Sequence, residues 1–165
     1  MDILWEELTS GLPDSRQFVH VVIRMVAATL LGAVVGIQRE KAGKPAGLRT
    51  HVLVCLGTAV FVLACSGVGM SLEGLSRVIQ GIVTGIGFVG AGAILKLNQE
   101  REIQGLTTAA GIWMTAAIGV AVGLGSLGVA LLATLMALII LALSGPLDSF
   151  FDRPNHEKTK IETAG

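Results

Sequence analysis

The sequence predicts an all-α integral membrane protein, a bundle of about five transmembrane helices with a glycine-rich third helix at its centre. Three observations point there. The 165 residues are 52% hydrophobic and 15% charged, with a mean hydropathy of +0.74, whereas a soluble domain carries about 25% charged residues. From Ile103 to Leu147, 45 consecutive residues include no Asp, Glu, Lys or Arg. As one helix that run would measure about 68 Å against a hydrocarbon core of roughly 30 Å. It must fold back, and GLGSLG at 123–128 is where glycine allows it. The third observation is Gly81–Leu95, GIVTGIGFVGAGAIL, an apolar stretch with five glycines. Glycine costs about 1 kcal/mol against alanine in a water-exposed helix. In lipid it lets two backbones pack closely. Gly81, Gly85 and Gly92 fall within about 40° of one another, and Gly87 and Gly90 lie nearly opposite. Such a helix suits neighbours on two sides.

Taken in order, residues 1–17 form a polar, acidic N-terminal segment with Asp2, Glu6, Glu7 and Asp14. A cleaved leader would begin with positive charge and an early apolar core; this segment has neither. The membrane domain covers 18–146, with spans at Phe18–Ile37, His51–Met70, Val78–Leu95, Leu106–Gly123 and Leu127–Leu143. The first span carries a small-residue stripe, Ala28, Gly32 and Gly36. Gly119 and Gly123 offer similar close approach on the fourth. Residues 38–49, 71–77 and 96–105 connect the spans, and 147–165 is a polar tail. Cys55 and Cys65 share one span about 15 Å apart, too far for a disulfide, and read as small packing residues.

Twelve basic and twelve acidic residues balance, so net charge offers nothing for a nucleic-acid partner. The charges are unevenly placed. Arg16 and Arg77 lie on one side of a five-span topology. Nine lie on the other: Arg39, Lys41, Lys44, Arg49, Lys96, Arg101, Arg153, Lys158 and Lys160. The positive-inside rule then places the N-terminus outside and the C-terminus in the cytoplasm.

Several motifs allow two readings. GIGFVG at 85–90 matches the dinucleotide G-x-G-x-x-G pattern, but that pattern has meaning only between a strand and a helix of a βαβ unit. Inside an apolar span it is rejected, and no organic cofactor is expected. His20 and Arg24 lie one helical turn apart. Ionisable residues in spans are functional candidates. Arg24 is also shallow enough to snorkel outward toward the acidic N-terminal segment or Glu73. Arg39, Glu40, Arg49 and His51, with Thr50, flank a Pro45–Gly47 turn that is either a shaped site or an anchor for anionic lipid. Gln80, Thr84, Thr107 and Thr108, with Thr115, either line a polar path or hydrogen-bond between helices. No nucleophile–base pair or metal-ligand cluster appears, so the chain reads as a non-enzyme; whether it meets a metal stays open.

Three blocks, GAVVGIQREKAGKPAGLRTHVLVCLGTAVF (32–61), GIVTGIGFVGAGAIL (81–95) and GLTTAAGIWMTAAIGVAVGLG (105–125), closely resemble the bacterial MgtC/SapB family. The matching positions include Arg24, Glu40, Gly43, Gly47, Arg49, Thr50, His51, the glycines of 81–92, Gly105, Thr107, Thr108 and Trp113. The resemblance implies a bacterial inner-membrane protein with an outside N-terminus, linked to growth in low magnesium and, in some pathogens, to survival in macrophages. Some members are described as restraining the ATP synthase, and the family has been labelled a magnesium transporter. Virulence-type members carry a C-terminal soluble domain; here only 147–165 follow the last span, so functions of that domain are not carried over. Two functions remain: a regulator coupling magnesium limitation or envelope stress to another inner-membrane complex such as the ATP synthase, or a small transporter or channel for magnesium, potassium or protons. The small-residue faces favour a homo-oligomer in either case.

Overall fold

The computed structural model describes residues 15–97 and 102–151. The acidic segment 1–14, the centre of the 96–105 connection and the tail beyond 151 lie outside these. Five helices run α1 (Ser15–Lys41), α2 (Leu48–Gly67), α3 (Leu72–Gly92), α4 (Leu106–Gly123) and α5 (Leu127–Phe151). Between α3 and α4 a short antiparallel ribbon pairs β1 (Leu95–Leu97) with β2 (Glu102–Gln104), with Lys96 opposite Ile103. Helices α1 to α4 are each long and apolar enough to cross a membrane; α5 contributes a shorter apolar stretch, Leu127–Leu143. The chain is therefore an all-α membrane bundle.

Two boundaries differ from the sequence expectation. The connection read at 71–77 is the opening of α3, because Ser71 caps the helix: its Oγ accepts the Gly74 N–H at 3.2 Å. Glu73 sits in the favourable first turn and pairs with Arg77 at 2.6 Å one turn on. Helix α5 continues past Leu143 into the first residues read as tail.

The centre of the bundle is the larger correction. Half of the spanning window of α4 is buried (50%), against 6% for α3. Helix α4 packs on all four of the other helices, whereas α3 lies at the edge, mainly against α4. The packing roles read for Gly81, Gly85, Gly87 and Gly92 are not made within this chain, since a Cβ at any of them would meet nothing within 4 Å. Gly90 alone of that set lies against a neighbour, at 3.6 Å from Ala109 Cβ. Glycine marks where a backbone can be approached, and at the other four no helix of the same chain does so.

Close approach occurs on α1, α2 and α4 instead. A Cβ on Gly36 would stand 2.6 Å from Leu48 Cα, and one on Gly32 would stand 2.8 Å from the His51 carbonyl. On α4, a Cβ at Gly119 would fall onto Thr58 Oγ1 and the Cys55 carbonyl, and one at Gly123 would lie 2.7 Å from Val62 Cβ. These glycines bring both α1 and α4 against α2, where Cys55 lies under Gly32 and Gly119 alike. The core between them is built of small residues, Ala28, Val35, Cys55, Ala59, Ile118, Val122 and Ala130. Cys55 and Cys65 are not disulfide-bonded. Outward, Leu30, Leu53, Phe88 and Leu132 are among the large apolar side chains left exposed, the surface a bilayer covers.

Two left-handed glycines set the ends of α4. Gly105 precedes it at φ +95°, with its α-carbon so close to the Ala93 carbonyl that a Cβ would collide there. Gly125 follows at φ +82°, where a Cβ would run into the Arg24 guanidinium. Left-handed backbone combined with contact on the Cβ side leaves glycine as the residue that fits.

Candidate functional site

The side chains of greatest chemical interest gather where α1 ends and α2 and α4 begin. On α1, Arg39 lies eleven residues past Ala28, within about 20° of it around the helix. That places it on the inward face with Gly32 and Gly36. Arg39 is 1% exposed and His51, in the first turn of α2, is 0% exposed. Thr108, Gly111 and Thr115 follow one face of α4 at spacings of three and four, and all three are buried.

The ring Nδ1 of His51 lies 2.7 Å from Thr115 Oγ1. Thr115 donates its own hydroxyl proton to the Gly111 carbonyl at 2.9 Å. A hydroxyl has a single proton to give: turned to Gly111 it leaves Thr115 to accept from His51 Nδ1–H, and turned to His51 it makes Nδ1 the acceptor. Nε2 is buried and has no hydrogen-bond partner among the described residues. The same holds for Nε and Nη2 of Arg39 and for Oε1 of Gln38, whose Nε2 donates to the Leu141 carbonyl at 3.3 Å. Gly111 lies beside both rings of charge and polarity: a Cβ there would stand 3.7 Å from His51 Cε1 and 3.9 Å from Arg39 Nε.

Among the described residues no carboxylate answers Arg39. Its neighbour in sequence, Glu40, points the other way and accepts the Leu48 N–H at 2.9 Å. There the carboxylate serves the positive end of α2 and holds the 42–47 turn shut against Gly47, whose Cβ position would be 2.8 Å from Glu40 Oε2. An uncompensated buried cation costs several kcal/mol even after relaxation. Arg39 is thus a costly side chain to bury, and the sequence reading placed it in the 38–49 loop with Glu40, Arg49 and His51.

The other candidates spread out. Arg24 donates from Nη1 to the Gly123 carbonyl at 3.0 Å. It caps the negative end of α4, where a cation is favoured. Glu73, its suggested partner, is engaged by Arg77 instead. His20, Arg49 and Thr107 are exposed and Thr50 is half-buried. On α3, Gln80 and Thr84 are exposed, and the Thr84 hydroxyl donates to the Gln80 carbonyl at 2.9 Å within the helix. Neither lines the apolar groove of about 400 Å³ between α2 and α3, which is formed by Thr58, Phe61, Val78, Gly81, Ile82, Gly85 and Ile86. From the expected set the structure brings His51 and Thr115 together, with Arg39 beside them and Gly111 as the new member; Thr108 is buried three residues before Gly111 on the same helix. Among the described residues no group of three His, Cys, Asp or Glu is placed to hold a metal ion.

Fold and site define a multi-span membrane protein with a buried guanidinium–imidazole–hydroxyl cluster at one end of its helices. The chain belongs to the MgtC family, which it matches over residues 25–150. It is 42% identical over 130 residues to Protein SrpB of Synechococcus elongatus, covering 72% of this chain and 71% of that protein. To the Putative magnesium transporter YhiD of Escherichia coli K12 it is 42% identical over 130 residues, 73% of this chain and 58% of the relative. To Protein MgtC of Salmonella typhimurium LT2 it is 44% identical over 117 residues, 71% of this chain and 49% of that protein. The chain thus spans about half the length of the MgtC proteins it matches. No solved structure matches it.

Proposed function

We propose that the chain is a non-enzymatic regulator of the bacterial inner membrane, acting on another membrane complex when magnesium is scarce or the envelope is stressed. The observation that carries this reading is Arg39, buried without a carboxylate partner among the described residues. A fixed cation at the polar end of the bundle repels a second cation rather than passing it. The nine-to-two distribution of Lys and Arg supports a cytoplasmic C-terminus. In that orientation the 42–47 turn and the β1–β2 ribbon face the cytoplasm, where a complex such as the ATP synthase is within reach. The bare glycine face of α3 supports a homo-oligomer.

The name of YhiD and the exposed Gln80 and Thr84 favour a second reading, in which copies joined through α3 conduct magnesium, potassium or protons. Ion flux into sealed proteoliposomes separates the two. Regulation predicts flux no greater than that of empty vesicles in either orientation. Magnesium flux above that level which falls with Gln80→Ala would replace the first reading by the second.

A further inference from the structure

We propose that the outward face of α3 is a two-fold interface with a second copy of this chain, in which Gln80 hydrogen-bonds across the axis in the middle of the membrane. This contact rests on the homo-oligomer reading and is the same for a regulator and a transporter. Counting 100° per residue, Arg77, Gln80, Gly81, Thr84, Gly85 and Phe88 fall within an arc of about 140°. All six are exposed. The arc is centred almost opposite the side that packs within the chain, where Ile86 joins the core with Ile112 and Ala116 and Gly90 lies against Ala109.

Depth makes lipid a poor occupant. Helix α3 runs 21 residues, Leu72–Gly92, and Gln80 and Thr84 each lie about 3 Å along the axis from its midpoint. The Thr84 hydroxyl gives its proton to the Gln80 carbonyl within the helix, whereas the Gln80 carboxamide has no hydrogen-bond partner among the described residues. Acyl chains offer neither donor nor acceptor, so an amide left among them keeps the whole cost of its lost water. A carboxamide both donates and accepts. Two copies inserted in the same sense and related by a two-fold axis place Gln80 opposite Gln80. Each amide then answers the other, with Thr84 Oγ1 as a further acceptor. Glu73 and Arg77, an acid and a base at the start of the same face, are complementary to themselves about that axis as well. Gly81 and Gly85 supply the approach. Four residues apart, with nothing within 4 Å of either Cβ position, they allow two backbones to close.

The test uses the full chain, carrying a donor or an acceptor dye at its C-terminus. It is reconstituted into phosphatidylethanolamine–phosphatidylglycerol vesicles over a range of protein-to-lipid ratios. Energy transfer should rise to saturation as the ratio increases. Gln80→Leu keeps the bulk and loses the amide, so the ratio at half-saturation should rise about fivefold or more, the worth of two interhelical hydrogen bonds. Gly81→Leu fills the approach and should weaken transfer at least as much. Neither change meets a neighbour within one chain, so both variants should keep the parent's thermal midpoint at low density. Gly128→Leu on α5, whose Cβ position is likewise open, should leave transfer unchanged. Transfer that Gln80→Leu does not weaken, or that Gly128→Leu weakens equally, overturns this interface and leaves a homo-oligomer formed through another face. No transfer in the parent at any ratio overturns both, and gives the face to lipid or to a different membrane protein.

Discussion

The Nδ1 of His51 on α2 and the hydroxyl of Thr115 on α4 meet at 2.7 Å inside the bundle. This contact joins the most buried helix to its main neighbour. Thr115→Val keeps the shape and removes the hydroxyl, leaving a buried imidazole nitrogen unmet at a cost of about 1–3 kcal/mol. The thermal midpoint in detergent should fall, and Thr115→Ser should recover most of it. A Val variant as stable as the parent would mean that water or another group serves His51.

Glycines offer a sharper contrast. Gly119→Ala directs a methyl at Thr58 Oγ1 and the Cys55 carbonyl, and a backbone carbonyl cannot swing aside. Gly85→Ala meets open space and gains helix propensity of up to about 1 kcal/mol in a water-exposed setting. The first should lower the folded yield and the thermal midpoint; the second should leave both unchanged or raised. Equal losses in a monomeric preparation would contradict the arrangement of α2, α3 and α4.

Arg24 supplies a third comparison. Its bond to the Gly123 carbonyl compensates the end of α4, an interaction of about 0.3–1 kcal/mol and up to ~2 in partly buried settings. Arg24→Met keeps the aliphatic stem and loses the cap. Hydrogen exchange at 120–126 should accelerate in this variant. Glu73→Gln, which breaks only the exposed pair with Arg77, should leave exchange there unchanged.

Helix number and turn positions were legible because lipid demands long charge-free runs, and 103–147 holds enough for two. The stripe Ala28–Gly32–Gly36 was legible as a close-approach surface because its spacing defines a face. What one sequence does not contain is the identity of the neighbour. The glycines of 81–92 form equally regular faces, yet within this chain most of them meet nothing. Arg39 was assigned to the wrong element for another reason. Ending the first span at Ile37 put it in a loop, whereas α1 continues to Lys41 and carries it into the core in phase with Ala28. Continuing the helical phase past the last apolar residue would have exposed that signal.

The uncovered side of α3 leads to the last prediction. Gly81 and Gly85 line a groove open to the surroundings, and Phe88 is 84% exposed on the same helix. Small residues in lipid favour close helix contact, so a second copy would dock there more tightly than acyl chains. With Cys55→Ala and Cys65→Ala removing the native thiols, Gly85→Cys should form an intermolecular disulfide in native membranes under mild oxidant. Leu132→Cys, also exposed but on α5, serves as the lipid-facing control. Dimer from position 85 with none from position 132 identifies α3 as the contact. Crosslinking that is equal at both positions, or absent from both, would mean that the glycine face meets lipid.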